Sequence, residues 1–195
     1  MTLQSLCFTC LLALSCTLPA RAQHHPHMHP HGDASHAGTA PAATPYAGMQ
    51  QRSIKALSPQ QMQDLQAGKG IGLALPAELH GYPGPLHVLE LAEALQLSAD
   101  QRARTQAAYD TMLQQARLAG AQVIAAEHSL DALFAQQQAT PENVAQAAQA
   151  AATAHARLRT IHLHAHLVMR DVLSPDQVAQ YQRLRGYGEV RPAQP

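Results

Sequence analysis

Apolar residues recur at spacings of mostly three and four over residues 99–172, the signature of one buried face on a helix. From Ala99 to about Gln138 no proline interrupts the pattern, and Tyr109, Met112, Ala116, Val123, Leu130 and Phe134 fall on its apolar stripe. At ~1.5 Å per residue such a helix spans roughly 60 Å, with a kink expected at Gly120. Thr140 then reads as the cap of a second helix, with Pro141 at its first position. That helix carries Val144, Ala151, Leu158, Ile161, Ala165 and Val168 and runs to about Val172. The short connection makes the pair antiparallel, so residues 99–172 predict one long helical hairpin. Shorter helices flank it. Pro59 to Ala67 is stopped by Gly68, His87 to Gln96 places Val88, Leu91, Ala92 and Leu95 on one face, and Pro175 to about Arg185 ends at Gly186. Between the first two, Gly70 to Pro85 contains the turn Gly81-Tyr82-Pro83-Gly84-Pro85 and predicts irregular structure. The fold class is therefore all-α.

One phrase recurs at matching places: Leu97-Ser98-Ala99-Asp100-Gln101 and Leu173-Ser174-Pro175-Asp176-Gln177, with a near copy at Leu57-Ser58-Pro59-Gln60-Gln61. Serine followed three residues later by glutamine is a capping box, in which each side chain satisfies the other residue's backbone amide. As local physics these are helix starts, and Asp100 and Asp176 suit the positive end of the helix dipole. The arrangement of the pair resembles the LTxxQ motif pair of the Spy/CpxP family, with serine in place of threonine. The resemblance runs from about Leu57 to Tyr187. It implies a cradle-shaped dimer acting as an ATP-independent periplasmic chaperone or stress accessory, with unfolded envelope proteins held on a concave face. On that reading Leu97, Ser98, Gln101, Leu173, Ser174 and Gln177 stabilise helix starts and do no chemistry.

The N-terminal region changes where such a protein would work. Leu6 to Leu18 is apolar, and Ala20-Arg21-Ala22 is a small-x-small cleavage site, so residues 1–22 read as a secretory signal. The expected location is the periplasm, with lipid anchoring at Cys16 a minor alternative. The apolar run is too short to span a bilayer. All three cysteines, Cys7, Cys10 and Cys16, lie inside it, so a mature chain has no thiol for disulfides, metals or nucleophilic attack. Residues 23–50 form a His- and Pro-rich tail without apolar periodicity, expected to be disordered, as are residues 188–195; the helical domain occupies 51–187.

Composition adds one constraint. The chain is 46% hydrophobic but only 4% aromatic, because alanine supplies much of the apolar count. Alanine favours helix but buries little surface, so the core is thin and homodimerisation is the natural way to cover more of it. Formal net charge is zero, which gives no electrostatic case for nucleic acid or anionic membrane.

The candidate chemistry lies in the histidines, of which there are thirteen. The tail holds His24, His25, His27, His29, His31 and His36, imidazoles able to chelate zinc, nickel or copper without fixed geometry. In the second hairpin helix His162 and His166 are one turn apart on one face, half of a metal site, with Met169 three residues beyond as a thioether. His155 lies on nearly the same face. Opposite it the hairpin places Glu127 and His128, a second conceivable cluster. The alternative is that these histidines, with Arg157 and Arg159, form a solvated polar face. Within the resemblance, nickel/cobalt and zinc sensors use helix-borne His and Met ligands, and the His162/His166 spacing is similar to that pattern without a complete matching set.

Enzymatic motifs are missing. Gly68-Lys69-Gly70-Ile71-Gly72 lacks the phosphate-loop order, HExxH does not occur, and no serine sits in a nucleophile elbow. Two readings follow, neither requiring a cofactor. The first is a chaperone with a metal-binding tail; the alternative is a heavy-metal sensor or sequestering protein, with the helix histidines as regulated site, the tail as loading arm and an envelope sensor protein as partner.

Overall fold

The computed structural model describes residues 44–187, which contain helices and no strand. The signal, most of the tail with all six of its histidines, and residues 188–195 lie outside the described residues. After a single 3-10 turn at Met49–Gln51 come α1 (Pro59–Ala67), α2 (Leu75–Leu79), α3 (Pro85–Glu90), α4 (Ala99–Ala135), α5 (Pro141–Val172) and α6 (Pro175–Leu184). Helices α4 and α5 form the long antiparallel hairpin. Helix α1 packs on α4, α2 on α5, and α3 on both.

Four of the helices begin with a complete capping box, at Ser58, Ser98, Thr140 and Ser174. Two of these boxes reach further. The Gln101 amide accepts from Ser98 N at 3.1 Å, and the Gln177 amide accepts from Ser174 N at 2.9 Å. The same two amides also pair with each other: Gln101 Nε2 donates to Gln177 Oε1 at 2.8 Å and Gln177 Nε2 to Gln101 Oε1 at 3.0 Å. Their remaining hydrogens go to the Val172 carbonyl at 2.9 Å and the Leu95 carbonyl at 3.1 Å. Every donor and acceptor position of both side chains is thus used. The starts of α4 and α6, the end of α5 and the turn after α3 meet at this pair. Gln61, the third copy, makes only its local bonds.

Two apolar clusters form. One gathers Val88, Leu95, Leu97, Met169, Leu173 and Tyr181 around the amide pair. The other joins Ile54, Leu57 and Leu65 to Ala116, Ala119, Val123 and Leu158 near mid-hairpin. Leu97 and Leu173, the leucines of the repeated phrase, are both buried.

Several expectations are corrected. Gly120 does not interrupt α4, which is continuous over 37 residues. It is glycine because α1 crosses there: a Cβ would stand 2.1 Å from the Leu65 carbonyl oxygen. The helix expected over 87–96 is displaced to Pro85–Glu90 and gives way to turns, in which Gln96 takes φ 51°. Those turns free the Leu95 carbonyl for Gln177 while keeping Ala92 and Leu95 buried. Phe134 and Val168, placed on the apolar stripes by spacing, are exposed, because no flanking helix covers their sides of the hairpin. From Ile124 to Ala150 no residue is buried.

Ser98→Ala and Ser174→Ala are each expected to cost about 1 kcal/mol, lowering the melting temperature by about 2–4 °C apiece. Gln177→Ala removes its own cap bond and strands half of the Gln101 amide, so it should cost more than either serine. Thermal unfolding of the three variants checks the order; equal shifts would contradict a shared role for the amides.

Candidate metal site

The buried face of α5 runs Leu158, His162, Ala165, His166, Met169, Val172, a spacing of three and four that places two imidazoles in line with the core. His162 is 4% exposed and His166 8%. The solvated polar face therefore holds for His164, Arg157 and Arg159, which are exposed, but not for this pair. What covers the two rings is the segment expected to be irregular. Residues 70–84 contain the short helix α2 and lie across α5 as a strap.

Glycines make this close approach possible. A Cβ at Gly70 would stand 3.2 Å from His162 Nδ1, and one at Gly84 would stand 3.0 Å from His166 Cε1 and 3.3 Å from its Nε2. His166 Nδ1 lies 2.6 Å from the Tyr82 carbonyl oxygen. A carbonyl only accepts, so Nδ1 carries the hydrogen and Nε2 of the neutral ring keeps its lone pair. His162 Nε2 is buried with no hydrogen-bond partner. The buried Glu78 completes the layer: its Oε2 accepts from Gly84 N at 3.2 Å and lies 3.7 Å from His166 Nδ1, and its Oε1 accepts from the Tyr181 hydroxyl at 2.5 Å. Burial, together with this carboxylate, pushes the Tyr181 phenol far above its usual range, so it remains a neutral donor. A cleft of about 640 Å³ opens beside the layer, bounded by His162, His166, Glu78, Leu75, Leu113 and Arg185.

Two imidazoles one helical turn apart, one with its tautomer fixed and the other with an unpartnered nitrogen, supply two donors for a borderline divalent cation. Metal ligation needs neutral imidazole. Burial, reinforced by the neighbouring His166, holds His162 below the ordinary histidine range and so favours that form.

The other candidates are placed differently. Met169 is fully buried within the apolar cluster around Tyr181. His155 Nε2 meets Glu127 Oε1 at 2.9 Å, so two members of the second cluster pair, while His128 is exposed. Ser98, Gln101, Ser174 and Gln177 cap helices. Among the described residues no three or more His, Cys, Asp or Glu side chains come together as a metal-holding group. Sequence reasoning missed Glu78 and Tyr181. Tyr181 carries a usable signal, sharing an α6 face with Val178, whereas Glu78 sits in a short glycine-bounded stretch without periodicity.

The lowered His162 pKa fixes a pH dependence. Above the free histidine value of 6.5 both folded and unfolded chains are neutral there. As pH falls through that value the unfolded chain takes up a proton that the folded chain resists, so stability is lost toward acid. The melting temperature is expected to drop between pH 7.5 and pH 5.5, and His162→Gln to show a shallower drop; equal drops would remove His162 as a cause.

A family model described as heavy-metal resistance matches residues 71–180, more than half of the chain, and spans the strap, the hairpin and most of α6. No curated protein and no solved structure matches the chain. The matched family is related to Spy/CpxP-like helical proteins. On this match the chain belongs to the heavy-metal resistance family.

Proposed function

We propose that this chain is an exported metal-binding protein of heavy-metal resistance that takes a borderline divalent cation on His162 and His166. It acts by binding, as a sensor or sequestering protein of the envelope, and not by catalysis. The observation that carries the reading is the buried His162 Nε2 without a partner, one turn from a ring whose Nδ1 is already committed to Tyr82. An unsatisfied polar atom in a core is costly, and a metal ion is one ligand that would satisfy it. The family match supports a resistance role and the donor set suits zinc, nickel or copper. The remaining coordination positions fall to water or to groups outside this layer. The tail histidines are a separate chelating segment.

Titration calorimetry with the full mature chain, its six tail histidines replaced by alanine, tests the site. Zn(II), Ni(II) or Cu(II) is expected to bind at a defined ratio, and His162→Gln with His166→Gln to abolish that binding. Undiminished uptake by the doubly substituted chain would overturn the assignment.

The second reading is client holding by a Spy/CpxP-like dimer whose LSxxQ segments correspond to the family motif. It draws support from the exposure of Ile71, Leu75, Leu79 and Leu86, aliphatic side chains near one another in the chain that are 42–52% exposed. Such shallow apolar surface suits weak, promiscuous capture. Light scattering of an aggregating, unrelated unfolded protein is expected to fall when the mature chain is added, and to fall less with Leu75→Ser and Leu79→Ser. No suppression by the parent chain would remove this reading and leave the metal site standing.

A further inference from the structure

We infer that Glu78 is the charged positioning residue of the His162/His166 metal site, and that the strap over residues 70–84 tightens when that site is loaded. The inference rests on the metal reading above and concerns how that site is regulated. Glu78 is 7% exposed, and both its oxygens are occupied, by the Tyr181 hydroxyl and the Gly84 amide. It is held in place without being a ligand in this arrangement. Its nearest cationic or imidazole partners are Arg185 Nε and His166 Nδ1, each at 3.7 Å. The His166 N–H therefore donates to the Tyr82 carbonyl with a carboxylate close behind it.

That geometry couples the two sides of the ring. A cation drawing electrons from Nε2 makes the Nδ1 hydrogen a stronger donor, which strengthens its hold on Tyr82 and its attraction to Glu78. In the other direction, a carboxylate near Nδ1 makes Nε2 more basic and a better ligand. Both partners, Tyr82 and Glu78, belong to the strap. At residues 78–84 the strap is tied to α5 and α6 by polar contacts beside the buried Pro83: His166 to Tyr82, Tyr181 to Glu78, and Arg170 to the Gly81 carbonyl at 3.2 Å, with the Arg170 guanidinium 5.3 Å from the Tyr82 ring centre. Ile71, Leu75 and Leu79 are half-exposed. Pro83 and Ala74 anchor the strap by burial, while its ties at Tyr82 and Glu78 make its docking respond to charge at His166. By linkage, whatever affinity the docked strap lends the cation, the cation returns to strap docking.

The test uses the mature chain with His24, His25, His27, His29, His31 and His36 replaced by alanine, and Zn(II) as the probe. Hydrogen exchange of peptides covering residues 70–84 is expected to slow on adding Zn(II). Glu78→Gln should weaken Zn(II) binding about 10- to 100-fold and remove that slowing, and Glu78→Asp should recover part of both. A purely structural role for Glu78 would lower the melting temperature without altering the zinc-dependent protection. If the parent binds Zn(II) through His162 and His166 but the strap does not slow, or Glu78→Gln binds as tightly, the role of Glu78 falls and the metal site stands. If Glu78→Gln does not fold, Glu78→Asp decides: protection or affinity no better than in a chain lacking the site overturns the proposal. If the parent takes up no Zn(II), the site and this inference fall together.

Discussion

Two side-chain amides, Gln101 and Gln177, meet where four stretches of chain converge, and the rest of the molecule takes its register from them. Each amide closes its own helix start and then spends its remaining hydrogen-bonding capacity on the other and on one carbonyl. The Val172 carbonyl is the last of α5, so the bond from Gln101 fixes that helix lengthwise against α4. His162, His166 and Met169 lie on the same rigid rod, one to three turns back. A one-residue rotation of α5 would swing the imidazoles away from the strap and break the alignment with Tyr82 and Glu78. The site thus depends on bonds formed well outside it.

Polar atoms in the middle of a small core are an unusual choice for an alanine-rich chain with little apolar area to bury. His162, His166 and Glu78 separate the cluster around Tyr181 from the one around Leu65. Leucines in such a layer would spare the desolvation of the carboxylate but would leave the Gly84 amide, the Tyr181 hydroxyl and the Tyr82 carbonyl without their partners. Among the described residues, the buried side-chain atoms without a hydrogen bond are His162 Nε2, in this layer, and Arg185 Nε beside Glu78. The proposed metal ion would satisfy that nitrogen, in keeping with membership of a heavy-metal resistance family.

Much of the fold was legible in the sequence because its determinants are local. Capping boxes, prolines at first helical positions and the three-four spacing set α1, α4, α5 and α6 within a few residues. The spacing of His162 and His166 put both on one face of α5, and the structure buries that face. The strap was not legible, since α2 is short and bounded by glycines, and it is held by bonds to residues some ninety to a hundred positions away. For the same reason nothing in the sequence marked Glu78. Phe134 misled because periodicity shows which face of a helix is apolar and not whether anything packs against it. Gly120 was noticed for its flexibility, whereas its significance is the absence of a Cβ at a helix crossing.

The outer part of the hairpin, where no residue from Ile124 to Ala150 is buried, gives the molecule a mechanical gradient. From the base to mid-hairpin, backbone hydrogen bonds are backed by the two cores, so opening a turn of helix there means breaking tertiary packing as well. Toward the tip the same backbone bonds stand nearly alone, supported by alanine's helix propensity and a few half-covered side chains. Local opening is therefore expected first in the outer turns and only later in the packed layer around His162 and His166.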